Sequence, residues 1–167
     1  MTLNDSLPTI LTKPAIQMAQ TNGSKTSVVW PESLQKNGRQ ETIEKLFRAA
    51  DDPTRGGSAS FTECFSATGE VVARGYDLKG HDEIFKFREG AWDPISGRRH
   101  EVRKVYLSAS GDDDVMVLGR AEMRHKNGRS LTQDFVGNFI FGEDGALIQR
   151  YETWLDLKPL SELMASA

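Results

Sequence analysis

The sequence predicts an α+β domain in which a cone-shaped, curved sheet of mixed or antiparallel strands wraps around about three helices. Two patterns predict this class: helical spacing dominates the first half of the chain, and strand-like alternation fills the second half. The length of 167 residues suits one such domain, because it is enough to bury one sizeable core and too short for two. A sheet that curves around helices leaves a pocket on its concave side, usually apolar with a few polar groups.

Three segments have the periodicity of amphipathic helices, and we expect helices over residues 39–52, 59–65 and 80–92. The first carries apolar side chains at the i, i+3, i+4 and i+7 positions, namely Ile43, Leu46, Phe47 and Ala50. It ends at Asp52, because a residue that precedes proline is forced out of the α region. Ser58 is the expected N-cap of the second helix, and the breaker segment 93–97 follows the third.

Strands are expected over residues 70–76 and 99–109, and residues 115–157 predict three more strands joined by two tight turns. The turns at 126–128 and 143–145 contain Asn-Gly and Asp-Gly, which supply the positive φ that short hairpin loops need. Residues 112–114 are consecutive aspartates, and we expect a solvated loop there, because the ligands of a calcium loop are spaced apart. Residues 157–164 are expected to form a short closing helix or a tail.

The domain boundaries follow from composition. Residues 1–37 are rich in Thr, Ser, Asn, Gln and Pro and show no sustained period, which predicts a flexible N-terminal arm. We expect a single domain over residues 38–160 and a C-terminal tail over residues 161–167.

Charge and cysteine content narrow the function classes. A net charge of -3 gives no electrostatic attraction to nucleic acid or to an anionic membrane. Cys64 is the sole cysteine, and no Cys/His cluster has zinc-ligand spacing, so we expect neither a disulfide nor a metal or other cofactor. The N-terminus lacks a basic segment before an apolar one, and no apolar run is long enough to span a membrane. These features predict a cytoplasmic protein that has neither nucleic acid nor a membrane as its partner.

Charged residues interrupt the alternation of the last strands. Arg120 and Glu122 share one face of the strand 115–125, and Arg150 and Glu152 share one face of the last strand. On a solvent face they would form only a weak ladder of salt bridges. The same faces also carry large apolar residues, namely Met116, Leu118, Ile148 and Trp154, and a mixed face of this kind favours a pocket wall.

The order of elements, with GEDGALIQRYETWLDL ending a run of four strands, resembles the nuclear transport factor 2-like (NTF2-like) and SnoaL-like superfamily. Within it the motif is most similar to limonene-1,2-epoxide hydrolase, which has Arg-x-Asp on one strand and a second Asp on the last. Arg120-Ala121-Glu122 falls at the first motif, and Glu152 falls at the second Asp. The resemblance implies an acid–base pair, Glu122 and Glu152, organised by Arg120. This sequence departs from the family in having Glu for both Asp residues.

A second departure concerns the family's water-holding Tyr and Asn, because Ala73 and Gly75 stand at those positions. The scytalone dehydratase branch offers a different match, a histidine at the start of the strand after the third helix. His100 stands at that point and is the candidate base of this alternative.

The resulting hypothesis is a cofactor-independent acid–base enzyme acting on a small apolar metabolite of polyketide or terpenoid type. Epoxide opening, isomerisation, cyclisation and dehydration are the candidate reactions. The catalytic candidates are Arg120, Glu122, Glu152 and His100. The expected substrate-binding residues are Tyr76, Phe87, Trp92, Tyr106, Leu118, Phe135, Arg150 and Trp154.

Two alternatives stand beside this hypothesis. One is a SnoaL-like or scytalone-dehydratase-like cyclase or dehydratase that uses His100 as its base. The other is a non-catalytic ligand-binding or protein-binding module, which would have Arg120, Glu122 and Glu152 in solvent or side chains filling the cone. Because members of the resembled family are often dimeric, we also expect a homodimer, with Asp134 and Asn138 available for its contact.

Overall fold

The computed structural model describes residues 28–142 and 145–165, which form five helices and one six-stranded sheet. The helices are α1 (Glu32–Lys36), α2 (Arg39–Asp51), α3 (Arg55–Thr62), α4 (Gly80–Gly90) and α5 (Leu157–Met164). The strands are β1 (Phe65–Ala73), β2 (Tyr76–Lys79), β3 (Ile95–Ser108), β4 (Gly111–His125), β5 (Ser130–Phe141) and β6 (Ile148–Trp154).

The strands lie in the order β2-β1-β6-β5-β4-β3. Strand β6 runs parallel to β1, and every other neighbouring pair is antiparallel. This mixed, curved sheet with its helices confirms the predicted α+β class.

The sheet has an inner face toward the helices and an outer face on the opposite side. In β4 the odd-numbered residues Val115, Val117 and Ala121 are buried on the inner face, whereas Met116 and Glu122 are exposed on the outer face. The two-residue period of a strand dictates this division. This division also decides which charged side chains of the strands face the helices and which face away from them.

Helix α2 forms the centre of the core. Its apolar stripe buries Ile43, Leu46 and Phe47, as the predicted spacing requires. The Phe47 ring lies 5.5 Å from the ring of Phe135 and 6.0 Å from that of Phe139, both on the inner face of β5. Full burial of one such side chain stabilises the fold by about 1.5–3 kcal/mol.

Helix α3 begins earlier than the sequence pattern indicates, so the expected helix over residues 59–65 with a Ser58 cap is wrong. The N-cap is Thr54, whose hydroxyl accepts a hydrogen bond from the Gly57 amide at 3.2 Å. The Asp52 carboxylate accepts from the Thr54 amide at 2.8 Å and so shapes the turn between the two helices. The helix ends at Thr62, which leaves Phe65 to open strand β1.

The expected strand over residues 70–76 is two strands joined by a tight hairpin. Ala73 pairs with Tyr76, which leaves a loop of Arg74 and Gly75. Their φ values are +52° and +84°, the combination that the favoured two-residue hairpin turn requires. An arginine at positive φ is uncommon, and the residue patterns used for turn prediction do not mark it.

Several predicted boundaries shift by a few residues. Helix α1 lies within the predicted arm, and α5 crosses the predicted boundary at residue 160, with Leu163 buried. Strand β3 begins at Ile95, inside the expected breaker segment. Asp112, expected in a solvated loop, is the second residue of β4 and pairs with the buried Arg39 at 2.6 Å. Residues 1–27 of the arm and residues 143–144 of the predicted Asp-Gly turn lie outside the described residues.

Gly119 on β4 is required by packing. A Cβ atom built there would overlap the Phe135 ring and lie 3.0 Å from the Glu101 carbonyl oxygen. We expect Gly119→Ala to lower the free energy of unfolding by about 1–3 kcal/mol, the usual cost of overpacking a core. Urea denaturation measures this change. Gly90→Ala is the matched control, because the nearest atom to its added Cβ is 3.9 Å away. Equal stabilities for the two variants would contradict the packing argument.

Candidate active site

A cavity of about 120 Å³ lies between the inner face of the sheet and the helices. Pockets for drug-sized ligands measure roughly 300–1,000 Å³, so this interior pocket suits a small molecule. Its apolar walls are Leu46, Phe47, Ala50, Phe61, Val71, Ala73, Phe87, Ala121, Met123, Phe135, Leu155 and Leu160. The polar and charged side chains that line it are Arg74, Arg88, Arg98, His100, Gln133, Tyr151 and Thr153.

His100 is held inside this pocket by Asp51. The Asp51 carboxylate contacts the His100 ring through Oδ1, 2.6 Å from Nδ1, and accepts the His100 backbone N–H through Oδ2 at 2.7 Å. Two contacts from one carboxylate fix both the backbone position and the ring orientation. A carboxylate accepts hydrogen bonds, so the ring proton lies on Nδ1 and the lone pair on Nε2.

The secondary structure explains how these two residues meet. Asp51 is the last residue of α2, and the Asp52-Pro53 sequence ends the helix there. His100 alternates with Arg98 on the inner face of β3, directly across from Ala121 of β4. The Phe47 and Phe135 rings lie 5.4 Å and 5.5 Å from the His100 ring, and they surround it with apolar surface.

Burial makes the neutral form of His100 the favoured one. Desolvation lowers the pKa of His100 below its ordinary value of 6.5, and this effect outweighs the Asp51 carboxylate, which raises the pKa. His100 is therefore neutral at pH 7, with Nε2 able to accept a proton. Within the described part of the chain, Nε2 has no hydrogen-bond partner.

Two arginines complete the charged cluster at the end of α2. Arg88 Nη2 and Arg98 Nε each donate to the Ala50 carbonyl oxygen at 2.9 Å, and Arg98 Nη2 also donates to it. This carbonyl belongs to the last turn of α2, where carbonyls lack helical partners and the helix dipole is negative. Desolvation and repulsion by Arg74 lower the pKa of Arg88 to about 10, and desolvation and repulsion by Arg88 and Arg74 lower that of Arg98 to about 9. Both groups remain cationic at neutral pH.

Neutral polar groups also line the interior pocket. The side-chain amide nitrogen and oxygen of Gln133 are buried without a hydrogen-bond partner among the described residues, as is Arg88 Nε. Tyr151 stacks on Phe139 with ring centroids 4.6 Å apart, and burial raises the pKa of its hydroxyl. The Tyr151 hydroxyl therefore keeps its proton. Unpartnered polar groups in a cavity are costly, and a bound ligand can satisfy them.

Comparison with known proteins shows similarity at the level of structure. No protein-family model and no curated protein sequence matches the chain. A proposed SnoaL-like polyketide cyclase from Jannaschia sp. CCS1 matches with a TM-score of 0.66 at 14% identity, covering 80% of this chain and 94% of that one. An NTF2-like protein of unknown function from Burkholderia pseudomallei K96243 matches with a TM-score of 0.65 at 19% identity, covering 77% of this chain and 98% of that one.

The chain has the NTF2-like fold. TerC, co-crystallised with polyporic acid, shares this architecture with a TM-score of 0.64 at 22% identity over 77% of this chain and 98% of TerC. Identities this low establish the fold alone, because one fold hosts many functions.

The sheet places Arg120, Glu122 and Glu152 on its outer face, away from the interior pocket. Arg120 Nε pairs with Asp134 at 2.8 Å, and Glu122 is exposed. Arg150 bridges Glu70 at 2.8 Å and Glu152 at 3.5 Å. Period-two alternation correctly grouped these side chains, but the expectation that they line the pocket is wrong. Arg120 and Arg150 form salt bridges there, as the same pattern also allowed, with Asp134, Glu70 and Glu152.

The predicted substrate-binding residues are divided between different surfaces. Phe87 and Phe135 line the interior pocket, whereas Tyr76 and Tyr106 are exposed. The Trp92 ring lies beneath the Arg98 guanidinium at 4.6 Å rather than in the pocket. Leu118 and Trp154, expected in the pocket, line a separate open groove of about 650 Å³ on the outer face, which also includes Glu101, Arg103, Lys104, Asp134 and Val136.

The outer groove is larger than the interior pocket, but it is a weaker candidate for catalysis. Its charged residues are exposed, with side chains such as Asp134 and Arg103 at 65% and 48% exposure, and they are paired with each other. Water screens the charges of such exposed groups and weakens their interactions. Asp134 and Asn138, the two residues expected at a dimer contact, have partners within the chain. Asp134 pairs with Arg120, and Asn138 donates to Asp114 at 2.6 Å. A single chain does not test the predicted homodimer, which stays a prediction.

Sequence patterns missed most of the interior residues. No motif or spacing in the sequence singles out Asp51, Arg88, Arg98, Gln133 or Tyr151 as a site residue. One local signal was available: Arg98 and His100 are two residues apart and so share a face of β3.

No group of three or more metal-ligating side chains occurs among residues 28–142 and 145–165. No helix in these ranges is long and apolar enough to cross a membrane.

An NMR titration of the His100 ring tests the electrostatic description. We expect a pKa below 6.5, and a further decrease in Asp51→Asn, because that substitution removes the carboxylate that raises the pKa. His100→Gln identifies the resonance. Since the folded pKa lies below the unfolded one, the unfolded chain binds more protons as the pH falls below 6.5, and the fold loses stability there. A His100 pKa above 6.5, or an increase in Asp51→Asn, would contradict this description.

Proposed function

We propose that this protein is an acid–base enzyme in which His100 exchanges a proton with a small organic substrate bound in the interior pocket. The observation that carries the proposal is the double contact of Asp51 with the His100 backbone and ring, which leaves Nε2 as the reactive atom. A neutral imidazole with a defined tautomer is suited to general base catalysis near neutral pH.

The remaining side chains support a proton-transfer cycle. When Nε2 accepts a proton, the positive charge on His100 is stabilised by the Asp51 carboxylate in contact with Nδ1. Negative charge that develops on a substrate oxygen is stabilised by Arg88 or Arg98, or by the protonated Tyr151 hydroxyl. Isomerisation, cyclisation and dehydration each need a proton removed from one atom and returned to another, and this arrangement supports both steps.

The comparisons support a small organic substrate without specifying the reaction. The Jannaschia protein is a proposed SnoaL-like polyketide cyclase, and TerC was co-crystallised with polyporic acid. Both are similar in fold to this chain. The proposal assigns the outer Glu122 and Glu152 no catalytic role, because the sheet separates them from the interior pocket.

A non-catalytic ligand-binding module is the second candidate. This alternative requires Arg120, Glu122 and Glu152 to lie outside the pocket, and their position on the outer face of the sheet supports it. Such a module would bind small molecules in the interior pocket without proton transfer. A kinetic assay of proton transfer therefore distinguishes the two functions.

The test uses 5-nitrobenzisoxazole, a small probe of general base catalysis. A base removes the carbon-bound proton, the electron pair forms the nitrile, and the N–O bond breaks to give a coloured phenolate. We expect the wild type to catalyse this reaction and His100→Gln to lower kcat/KM by roughly 10²–10⁴-fold, the usual contribution of a positioned base. The wild-type rate should fall only as the pH drops through the depressed pKa of His100, below 6.5.

Glu152→Gln and Glu122→Gln are the matched controls, because each removes a carboxylate from the outer face and leaves the interior intact. We expect both to retain the wild-type rate. Loss of activity in Glu152→Gln with full activity in His100→Gln would overturn the proposal. A folded wild type that binds the probe without turnover would favour the binding module.

A further inference from the structure

The interior pocket has more positive than negative charge. Arg74, Arg88 and Arg98 line it, and the Asp51 carboxylate contacts one of them, with Oδ1 3.9 Å from Arg98 Nε. His100 is neutral and does not add a charge at pH 7. The pocket therefore holds surplus cationic charge in a region largely shielded from water.

The geometry leaves much of this charge unsatisfied. Arg88 and Arg98 converge on the single carbonyl oxygen of Ala50, and Arg98 Nε lies 3.9 Å from Asp51 Oδ1, beyond hydrogen-bond distance. Only 5% of the Arg88 surface is exposed, and Arg88 Nε has no hydrogen-bond partner among the described residues. A buried cation normally has a paired anion, because burial without one costs several kcal/mol.

The hairpin loop contributes the third cation. Arg74 adopts a positive φ of +52° and its guanidinium lies over the Phe87 ring at 5.3 Å, on the side of the interior pocket. Positive φ is unfavourable for a non-glycine residue, because its Cβ atom comes too close to the following carbonyl oxygen. The fold thus retains an arginine at a position where the local backbone favours glycine.

Aromatic rings and an amide surround the cationic groups. Phe47, Phe61, Phe87 and Phe135 form flat apolar walls, and Phe61 lies beneath the Arg88 guanidinium at 4.7 Å. The unpartnered Gln133 amide has both a donor and an acceptor available. Flat walls favour a planar ring, and adjacent guanidinium donors favour an oxygen anion, which they bind by charge-assisted hydrogen bonds.

We infer that the substrate is a small aromatic or similarly planar organic anion, a carboxylate or an ionised enol or phenol, whose anionic oxygen binds at Arg88 and Arg98. This inference rests on the proposed function for its position next to His100 Nε2. It adds an anionic oxygen to the small apolar substrate that the sequence predicts. The anion neutralises the surplus charge, and the planar body packs against the phenylalanine walls.

Binding of matched probes to the wild type tests the inference without any substitution. Calorimetry at pH 8 compares benzoate with benzamide, and 4-nitrophenolate with nitrobenzene, so that each pair differs mainly in charge. We expect at least one anion to bind about tenfold or more tightly than its neutral partner, since hydrogen bonds to charged groups are stronger than those between neutral groups. The pair that shows the preference distinguishes a carboxylate from a phenolate.

Substitutions then assign the preference to the arginines. Arg88→Met should reduce the preference for the anion to about twofold or less, and Arg88→Lys should retain part of it because the charge remains. Arg150→Met, which removes a cation from the outer face, is the control and should leave the preference unchanged. If Arg88→Met does not fold, Arg74→Gly replaces it, because it also removes a cation from the pocket and glycine suits the φ of +52° at that position, and the preference for the anion should again fall.

Failure of this inference is distinguishable from failure of the proposed function. Equal or tighter binding of both neutral probes would overturn the inference, even if His100→Gln abolishes proton transfer. Retained proton transfer in His100→Gln, together with a clear preference for anions, would overturn the function and leave the inference intact. An unchanged preference in Arg88→Met would exclude Arg88 from the anion site and overturn the assignment.

Discussion

The pocket depends on the interactions that the C-terminal end of α2 makes with three side chains. The last turn of this helix presents the Ala50 carbonyl and the Asp51 carboxylate to Arg88, Arg98 and His100, which come from three positions on α4 and β3. Helix ends leave carbonyls without partners and carry negative dipole charge, so cations are stabilised there. One helix terminus therefore positions the base, fixes its tautomer and holds two guanidinium groups beside it. The core packing of α2 in turn fixes where this terminus lies.

The same cluster creates both the reactivity and the charge of the interior pocket. Burial keeps His100 neutral and lowers the pKa of both arginines, while the Asp51 carboxylate contacts Arg98 and His100. A substrate anion would relieve that imbalance and would also be placed next to Nε2. Binding and proton transfer thus share one electrostatic origin, with the outer salt bridges around Arg120 and Arg150 separated from it by the sheet.

Local patterns predicted the elements better than their arrangement. The α2 stripe and the Asn-Gly turn follow from spacing and turn chemistry that act over a few residues. Alternation also grouped Arg120 with Glu122 correctly, yet it carries no information on which face of a sheet meets the helices. That choice depends on pairing between strands distant in sequence, as does the meeting of Asp51 with His100, 49 residues apart. The early start of α3 required recognising Thr54 rather than Ser58 as the cap.

A kinetic double-mutant cycle between Asp51 and His100 tests the central claim most directly. If Asp51 acts through His100, then Asp51→Asn lowers kcat/KM for 5-nitrobenzisoxazole in the wild type but has little further effect once His100→Gln is present. Residues that function as one unit show this strong non-additivity. Losses that multiply in the double variant would mean that the two side chains act independently, and they would contradict the account.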